Sequence, residues 1–324
     1  MMFMKYLITG GAGFIGSNYL NYMVNKYSND FFVCLDSLTY ASNISNLDSL
    51  NKKGNYKFVK GSICNKKLLN ELFKKEHFDI VINFAAESHV TKSITEPDVF
   101  MKTNYFGTFN LLEMSKKYKV KRYHQISTDE VYGTLKLEDV GVKFNEEYPL
   151  NPSTPYAVSK ASADLLVLSY FKTYKLPITI SRCSNNYGPF QHEEKFIPLV
   201  IKNLINHKSI PIYGNGLHVR DWIYVLDHVK AIEMIINKGI AGNVYNIGGN
   251  NELNSLQIVE AITNKIKIIS NMKYVEDRLA NDIRYSIDST KLEKELGWTR
   301  EVTFDDALSQ TINWYLDKYE KKNN

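Results

Sequence analysis

The chain has 324 residues, of which 44% are hydrophobic and 23% charged, so it carries enough apolar side chains for a sizeable core. Its formal net charge of +5 is small for this length and its basic residues are scattered, which gives little support to nucleic-acid binding. A mildly basic cleft for an anionic small molecule fits the same balance. Three cysteines are too few and too far apart for a disulfide framework or a metal cluster. We therefore expect no metal site. Because no apolar run approaches the length of a membrane span and no signal-peptide pattern stands at the N-terminus, we expect a cytoplasmic protein.

A glycine-rich loop follows the first predicted strand, over residues 6–9. The spacing Gly10-x-x-Gly13-x-x-Gly16 lies between that strand and a helical stretch over 17–24, which is the context of a dinucleotide-binding loop. In such a loop the glycines let the backbone approach a pyrophosphate, and the helix N-terminus offers unpaired N–H groups. Taken alone, the motif is also compatible with a structural turn.

An acidic residue ends the second predicted strand. Asp36 closes the apolar run 31–35 and lies twenty residues after Gly16, where a carboxylate can accept hydrogen bonds from a ribose diol. Since the acid would repel a 2′-phosphate and no arginine follows it directly, the pattern favours NAD over NADP. A solvated acid at a strand end is the alternative interpretation.

The alternation of strands and helices continues along the chain. Three further apolar strands and two helices are predicted over 56–59, 68–75, 80–84, 99–117 and 123–126. This order predicts a doubly wound parallel sheet, an α/β fold of the Rossmann type. Ala85 and Ala86 follow the fourth strand and are small enough for a flat ring or a ribose to lie on them, although close packing explains them equally well.

Two adjacent carboxylates follow the fifth predicted strand. Thr128, Asp129 and Glu130 stand at its C-terminal end, and in open α/β sheets ligands bind at that edge. Repulsion between like charges raises the pKa of one carboxyl, so that one group can stay protonated while the other is ionised. The motif therefore predicts acid–base chemistry.

A tyrosine and a lysine lie one helical turn apart further along the chain. Thr154 as N-cap and Pro155 at the first position mark the start of a helix, and Tyr156 and Lys160 then share one face. The ammonium would favour the ionised phenol, so that the tyrosine could act as a base near neutral pH. An exposed pair on an amphipathic helix is the alternative.

These motifs together resemble a known superfamily. The glycine loop with Tyr156-x-x-x-Lys160 is similar to the extended short-chain dehydrogenases/reductases, and the stretch 127–133 resembles the nucleotide-sugar 4,6-dehydratases among them. The likeness covers nearly the full length of the chain. Sugar epimerases of the superfamily share the loop, the tyrosine and the lysine but lack the Asp-Glu pair, which makes that pair the specific signal.

The resemblance implies an NAD-dependent hydro-lyase that converts dTDP-glucose to its 4-keto-6-deoxy derivative plus water, with UDP-glucose as the alternative substrate. Tyr156, assisted by Lys160 and Thr128, would take the proton of the 4-hydroxyl. Glu130 would then remove the proton on carbon 5, and Asp129 would protonate the departing 6-hydroxyl. Hydride is borrowed and returned, so NAD is not consumed. A nucleotide-sugar 4-epimerase and a non-catalytic sugar-binding protein are the competing hypotheses.

The resemblance also implies two sets of binding residues. The cofactor set comprises Gly10, Gly13, Phe14, Ile15, Gly16, Asp36, Ser37, Leu38, Thr39, Ser62, Ile63, Phe84, Ala85, Ala86, Thr103, Tyr156, Lys160 and Asn186. The nucleotide-sugar set comprises Ser88, Thr128, Asn185, Lys195, Phe196, Pro211, Tyr213, Arg220, Ser255, Arg278 and Asn281. From the residues alone, Arg220 suits a phosphate clamp or a surface ion pair, and Asn185 suits a turn.

Four departures from the family pattern concern the nucleotide and not the reaction, and one of them is that Thr91-Lys92 stand where the family usually has Asp-Arg. Asn281 stands where bacterial dTDP-glucose enzymes carry a histidine, Ser255 replaces an asparagine, and Ser62 replaces an aspartate.

The resemblance further implies how the chain is divided and assembled. We expect an NAD-binding domain over 1–185 plus about 219–247, and a sugar-binding lobe over 186–218 plus about 248–324. The helices near 99–117 and 155–174 would pair with their copies in a homodimer, as a four-helix bundle. No nucleic-acid or membrane partner is expected.

Overall fold

The computed structural model describes residues 3–323, and its elements alternate as the sequence predicts. The strands are β1 (Lys5–Thr9), β2 (Phe31–Asp36), β3 (Tyr56–Lys60), β4 (Ile80–Asn83), β5 (Arg122–Thr128), β6 (Ile178–Cys183), β7 (Asn185–Tyr187), β8 (Ile210–Tyr213), β9 (Val219–Tyr224), β10 (Val244–Ile247), β11 (Glu252–Asn254) and β12 (Met272–Val275). The α-helices are α1 (Phe14–Lys26), α2 (Lys66–Glu76), α3 (Val90–Thr95), α4 (Pro97–Phe100), α5 (Thr108–Lys117), α6 (Pro155–Tyr174), α7 (Phe196–Ile205), α8 (Val225–Lys238), α9 (Ser255–Ile266), α10 (Thr290–Leu296) and α11 (Phe304–Asn323). Short 3₁₀ helices cover Ile44–Leu50 and Asp129–Tyr132.

The central sheet is parallel and doubly wound, which confirms the predicted fold class. Within residues 3–323 its seven strands follow the order β10-β6-β5-β4-β1-β2-β3, and each neighbouring pair is parallel. The strand order reverses between β1 and β4. A crevice forms outside the carboxyl ends of the strands at such a point, and this is where ligands bind.

Both faces of this sheet are covered by apolar side chains. Successive residues of β1 alternate between them, since Leu7 belongs to the buried cluster beside α2, α5 and α6, whereas Ile8 belongs to the cluster beside α1 and α8. Both side chains have no exposed surface. Burial on both faces explains why the strands are nearly continuous apolar runs instead of alternating ones.

A smaller lobe is built from the later elements. Among the described residues, β7, β9 and β11 form a three-stranded sheet, and β8 and β12 form a two-stranded one. A third apolar cluster, with Ile201, Ile258 and Leu308 among its members, packs α7, α9 and α11 together. Helix α8 and strand β10 return to the central sheet, while β9 pairs within the small sheet. The proposed domain boundaries stay a prediction.

The single helix predicted over 99–117 is wrong in detail, because a π-helical segment, Met101–Gly107, separates α4 from α5. Wide turns of this kind occur frequently at functional sites. Here Asn104 lies in the wide turn. Its side chain accepts a hydrogen bond from the backbone N–H of Glu87 at 2.8 Å and donates one to the backbone carbonyl of Glu87 at 3.0 Å. The segment thereby fixes the loop that follows β4.

Two further features concern the described part of the chain as a whole. No helix in it is long and apolar enough to cross a membrane. Cys34, Cys64 and Cys183 are all free thiols.

Candidate active site

A cavity of about 760 Å³ opens at the carboxyl edge of the central sheet. Its wall is formed by the glycine loop, the ends of β2, β4, β5 and β6, the start of α6 and the segment that follows β6. All five predicted catalytic residues line it, namely Thr128, Asp129, Glu130, Tyr156 and Lys160. The tertiary structure therefore brings the two chemical motifs into one space.

The glycine loop fits a dinucleotide pyrophosphate. Gly10 has a φ of +69°, and a Cβ there would lie 2.6 Å from the backbone nitrogen of Ala85. A Cβ on Gly16 would lie 2.4 Å from the carbonyl oxygen of Gly10. Gly13 is the N-cap of α1 and provides no side-chain hydrogen bond, which leaves helix N–H groups available to an anion.

The carboxylate of Asp36 is held in place by backbone N–H groups of the glycine loop and of the segment after β2. Its two carboxylate oxygens accept hydrogen bonds from the backbone N–H groups of Ala12 at 2.9 Å and Leu38 at 2.8 Å. Each oxygen keeps a second lone pair, so the carboxylate can still accept from a ribose diol. Asp36 lines the cavity, whereas Leu38 does not.

The surroundings of Asp129 favour its neutral form. Burial is the main cause that raises its pKa well above the ordinary value, and Glu130 and Asp221 act in the same direction. The Thr128 hydroxyl donates to Asp129 Oδ1 at 3.2 Å, and Asp129 Oδ2 is buried with no hydrogen-bond partner among the described residues. Because burial favours the uncharged carboxyl, Asp129 is suited to donate a proton.

Glu130 titrates in the neutral range. Burial raises its pKa to about 7, against the lowering effect of Arg220 and, more weakly, of Lys195 and Arg278, while Asp282 raises it. Its backbone N–H donates to Thr128 Oγ1 at 3.3 Å, which fixes the start of the 3₁₀ turn. Burial therefore raises the pKa of both carboxyls. The mutual repulsion on which the prediction rested is a smaller influence, since Glu130 is the second cause of the shift of Asp129. Their division into acid and base stays a prediction.

Tyr156 and Lys160 share one helix face, but their expected coupling is absent among the described interactions. Burial, then Glu130, Cys183 and Asp129, raise the pKa of Tyr156 well above its ordinary value, and Thr128 opposes this shift. Lys160 donates to the carbonyl oxygen of Ile126 at 2.5 Å. The predicted lowering of the tyrosine pKa by the ammonium is wrong, because burial and the groups named above shift this pKa in the opposite direction.

The predicted binding residues divide into two groups. Those on the cavity wall are Gly10, Gly13, Phe14, Ile15, Gly16, Asp36, Ser37, Thr39, Ser62, Ile63, Phe84, Ala85, Ala86, Ser88, Thr103, Asn185, Asn186 and Lys195. Those outside it are Leu38, Phe196, Pro211, Tyr213, Arg220, Ser255, Arg278 and Asn281. The roles of both groups stay predictions.

Four of the outlying residues lie together in the small lobe. The Arg220 guanidinium donates to Asn281 Oδ1 at 3.1 Å and lies 4.4 Å from the ring centre of Tyr285, while Arg278 lies 4.3 Å from that of Tyr213. Both arginines lower the pKa of Glu130, so this basic cluster adjoins the acidic end of the cavity. Ser255 and Phe196 begin helices α9 and α7.

Sequence reasoning missed several wall residues. Glu87, Ser184, His192 and Glu194 line the cavity, and burial raises the pKa of Glu87. Each of the four is adjacent, or within three residues, to one that was assigned. The available signal for Glu87 and Ser184 was their position after β4 and β6, whereas His192 and Glu194 follow β7 and were signalled only by the nearby Lys195. Their side-chain orientation depends on packing, which spacing along the chain does not reveal.

Comparison with known proteins agrees with this geometry. The family model described as GDP-mannose 4,6 dehydratase matches residues 7–311. A dTDP-glucose 4,6-dehydratase of Haemophilus influenzae is 43% identical, over 97% of this chain and 98% of that protein. Among solved structures, a dTDP-glucose 4,6-dehydratase of Bacillus anthracis in complex with NAD is 45% identical with a TM-score of 0.91, over 98% of both chains. The enzyme of the same name from Streptomyces venezuelae, with NAD and dTDP bound, is 40% identical with a TM-score of 0.94, again over 98% of both chains.

The match is specific as well as extensive. It spans both the glycine loop and the acidic pair, and the relatives are similar over their whole length. The chain belongs to the nucleotide-sugar dehydratase family that is described as GDP-mannose 4,6 dehydratase, and its relatives within that family are dTDP-glucose 4,6-dehydratases.

Proposed function

We propose that this chain is an NAD-dependent hydro-lyase that converts dTDP-glucose to dTDP-4-keto-6-deoxyglucose and water. One observation carries the proposal: Asp129, whose pKa is raised well above its ordinary value by burial, and Glu130, with a pKa of about 7, adjoin each other on the wall of the cavity that also holds Tyr156 and Lys160. Elimination of water from a sugar needs an acid and a base at the same time. Full-length similarity to enzymes of this name supports the assignment.

The acid and base roles follow from the protonation states. Glu130, partly ionised at neutral pH, removes the proton from carbon 5, which a ketone on carbon 4 makes acidic. Asp129 gives its proton to the departing 6-hydroxyl, and the hydroxyl leaves as water. Thr128 orients Asp129 by donating a hydrogen bond to Oδ1.

Tyr156 exchanges the proton of the 4-hydroxyl in this proposal. Because burial raises its pKa, the phenol ionises only when positive charge lies nearby, and Lys160 is the cation of its own helix face. The hydrogen bond between Thr128 and Tyr156 lowers the pKa of the phenol and so assists its ionisation. The catalytic roles of these three side chains rest on chemistry and on the family resemblance together.

The cofactor is NAD. When bound, it supplies the oxidising equivalent for carbon 4, the reducing equivalent for carbon 6 and positive charge on its nicotinamide ring. The glycine loop and the uncapped N-terminus of α1 suit the pyrophosphate, and Asp36 suits the adenosine ribose. The basic side chains Lys195, Arg220 and Arg278 suit the diphosphate of the sugar nucleotide.

The test is an assay of the purified protein with dTDP-glucose and, separately, UDP-glucose. We expect a product lighter by one water, with the alkaline absorbance of a 4-keto-6-deoxy sugar, and faster turnover of dTDP-glucose. Faster turnover of UDP-glucose would show that the nucleotide of the preferred substrate is UDP, and the proposed reaction would stand. An epimer with an intact 6-hydroxyl, formed equally well by Asp129→Asn, would contradict the dehydratase proposal.

We propose further that the active form is a homodimer through α5 and α6. Helix α6 exposes Val158 and Leu165, which are seven residues apart on one face, with 41% and 59% of their surface accessible, and Phe106 beside α5 is 56% exposed. The two helices pack against each other, so a copy of this pair would complete a four-helix bundle. Exposed apolar stripes of this kind support a protein–protein contact.

A matched pair of variants tests the dimer. Leu165→Asp should convert the protein to a monomer in sedimentation at micromolar concentration, because a charge would be buried in the interface. Ile240→Asp is the control, since Ile240 is exposed to 58% and follows α8, outside both helices. Dissociation in both variants or in neither would contradict the proposed interface.

We also propose that the protein works in the cytoplasm. The buried free thiols of Cys34 and Cys183 support a reducing compartment. Cell fractionation would test this.

A further inference from the structure

A buried ion pair lies directly behind the catalytic residues. Asp164 on α6 and Arg182 on β6 have 0% and 3% of their surface exposed, and Arg182 Nε donates to Asp164 Oδ2 at 2.9 Å. Neither residue lines the cavity. Buried charges are costly to desolvate, so a pair that does not touch a ligand calls for a physical explanation.

The carboxylate also joins the helix to the catalytic strand. Ser127 Oγ donates to Asp164 Oδ2 at 3.0 Å, while Lys160 Nζ donates to the carbonyl of the preceding residue, Ile126, at 2.5 Å. Two side chains one turn apart on α6 thus bind two consecutive residues of β5. The strand ends at the next residue, Thr128, and the 3₁₀ turn begins at Asp129. These two hydrogen bonds, called the clamp below, therefore set the position of both residues against Tyr156.

Arg182 is itself fixed at its far end. Its Nη1 donates to the hydroxyl of Tyr132 at 2.9 Å, and its guanidinium lies 4.8 Å from the ring centre of that tyrosine. Tyr132 ends the 3₁₀ turn that begins at Asp129 and donates to Asn246 Oδ1 at 2.8 Å. Both ends of the acidic motif are therefore tied to one ion pair.

We propose that Asp164 is a positioning residue of the dehydration, which clamps helix α6 to strand β5 and supplies the negative charge that faces Lys160. The inference rests on the proposed function, since it concerns how that site is arranged. Asp164 lies four residues after Lys160, which places the two side chains next to each other on the helix surface. Burial lowers the pKa of Lys160, and Asp164 is the largest influence that raises it.

The other charged and titratable groups around Lys160 are few. They lie on α6 itself and on the elements that pack against it, which are β5, β6, the 3₁₀ turn after β5, the π-helical segment, α3, α4 and α5. Of these only Cys183 also raises the pKa of Lys160, and less than Asp164 does. Loss of the Asp164 charge should therefore make the ammonium easier to deprotonate.

Two variants separate the charge from the clamp. Asp164→Asn removes the charge with nearly the same shape, and we expect the alkaline limb of the kcat profile to move about one pH unit lower. Ser127→Ala keeps the charge but removes one hydrogen bond of the clamp. We expect kcat to fall about tenfold, with KM and the alkaline limb unchanged, since misplacement of catalytic groups costs rate.

An unpaired Arg182 could prevent Asp164→Asn from folding. In that case Asp164→Asn with Arg182→Gln replaces the pair by neutral groups, and the same shift of the alkaline limb is expected. An unchanged limb in the folded single or double variant would overturn the charge role of Asp164. An unchanged kcat in Ser127→Ala would overturn the clamp.

A measurement without substrate distinguishes this inference from the proposed function. NMR titration of isotope-labelled lysine side chains, with Lys160 assigned by its loss in Lys160→Met, reports its pKa in the free protein. We expect that pKa to be lower in Asp164→Asn by about the same one unit. If the wild type made no dehydrated sugar but this shift were found, the proposed function would fail and the electrostatic role would stand. If turnover were normal and the titration unchanged, the inference alone would fail.

Discussion

The ionisation of Glu130 should set the acid limb of the pH profile. With a pKa of about 7, the carboxyl is about one tenth ionised at pH 6 and about nine tenths at pH 8, so kcat should rise about tenfold between them. A glutamate at its ordinary value of 4.5 would be ionised throughout this range and would give a flat profile. The assay is kcat for sugar dehydration at saturating substrate.

Two neighbouring charges should move this limb in opposite directions. Arg220 lowers the pKa of Glu130 and Asp282 raises it. Arg220→Gln should therefore shift the limb to higher pH, and Asp282→Asn should shift it to lower pH, each by about one unit. Asp282 is 6% exposed and accepts hydrogen bonds from Ser153 and Tyr285, so the amide can retain its place.

The opposite signs make the pair of variants decisive. A general loss of structure would lower kcat at every pH and would not shift the two profiles apart. A flat wild-type profile between pH 6 and 8, or shifts of the same sign in both variants, would refute Glu130 as the base whose ionisation limits the rate.

Two further variants address the cofactor loop and the acid. Gly16→Ala should abolish stabilisation by NAD in a thermal melt, because the added Cβ would lie 2.4 Å from the carbonyl oxygen of Gly10. Gly54→Ala is the control that should bind NAD normally, since a Cβ at Gly54 has no atom within 4 Å. Equal NAD binding by both variants would contradict the role of the glycine loop in holding the cofactor. Asp129→Asn should lose at least a hundredfold in kcat, the usual contribution of a general acid, yet melt at a higher temperature than the wild type above neutral pH. The sign follows because a carboxyl whose folded pKa is raised favours folding only while protonated, so its contribution is lost as pH rises through the folded value, and the amide cannot ionise. A difference in melting temperature that shrinks as pH rises would contradict the neutral state of Asp129.

Local spacing was sufficient for the parts of this protein that depend on neighbours in sequence. The strand, glycine loop and helix around Gly10 follow from three consecutive patterns, and Asp36 follows from its place at the end of the next strand. Thr154 does cap α6, since it accepts a hydrogen bond from the N–H of Ala157 at 3.2 Å. The acidic pair was likewise placed at the carboxyl edge from the strand that precedes it.

Packing between distant segments decided the rest. The side chain of Asn104, in the π-helical turn, accepts a hydrogen bond from the backbone N–H of Glu87. Helical periodicity in the sequence does not predict such a contact between distant segments. Tyr156 was expected to ionise readily because of Lys160, but burial and two carboxyls from another element reverse the direction. Desolvation depends on everything that surrounds a group, so spacing along the chain does not give it.

The sequence by itself determined which groups could exchange protons and that they would meet at one edge of a parallel sheet. Only the tertiary structure decided how far the pKa of each carboxyl is shifted. Burial raises the pKa of both Asp129 and Glu130, and Arg220, ninety residues away from Glu130 in sequence, lowers both; it is the second largest influence on Glu130 and the smallest of those that act on Asp129. The reason is physical: Coulomb interaction and desolvation act through space, and the fold alone sets those distances.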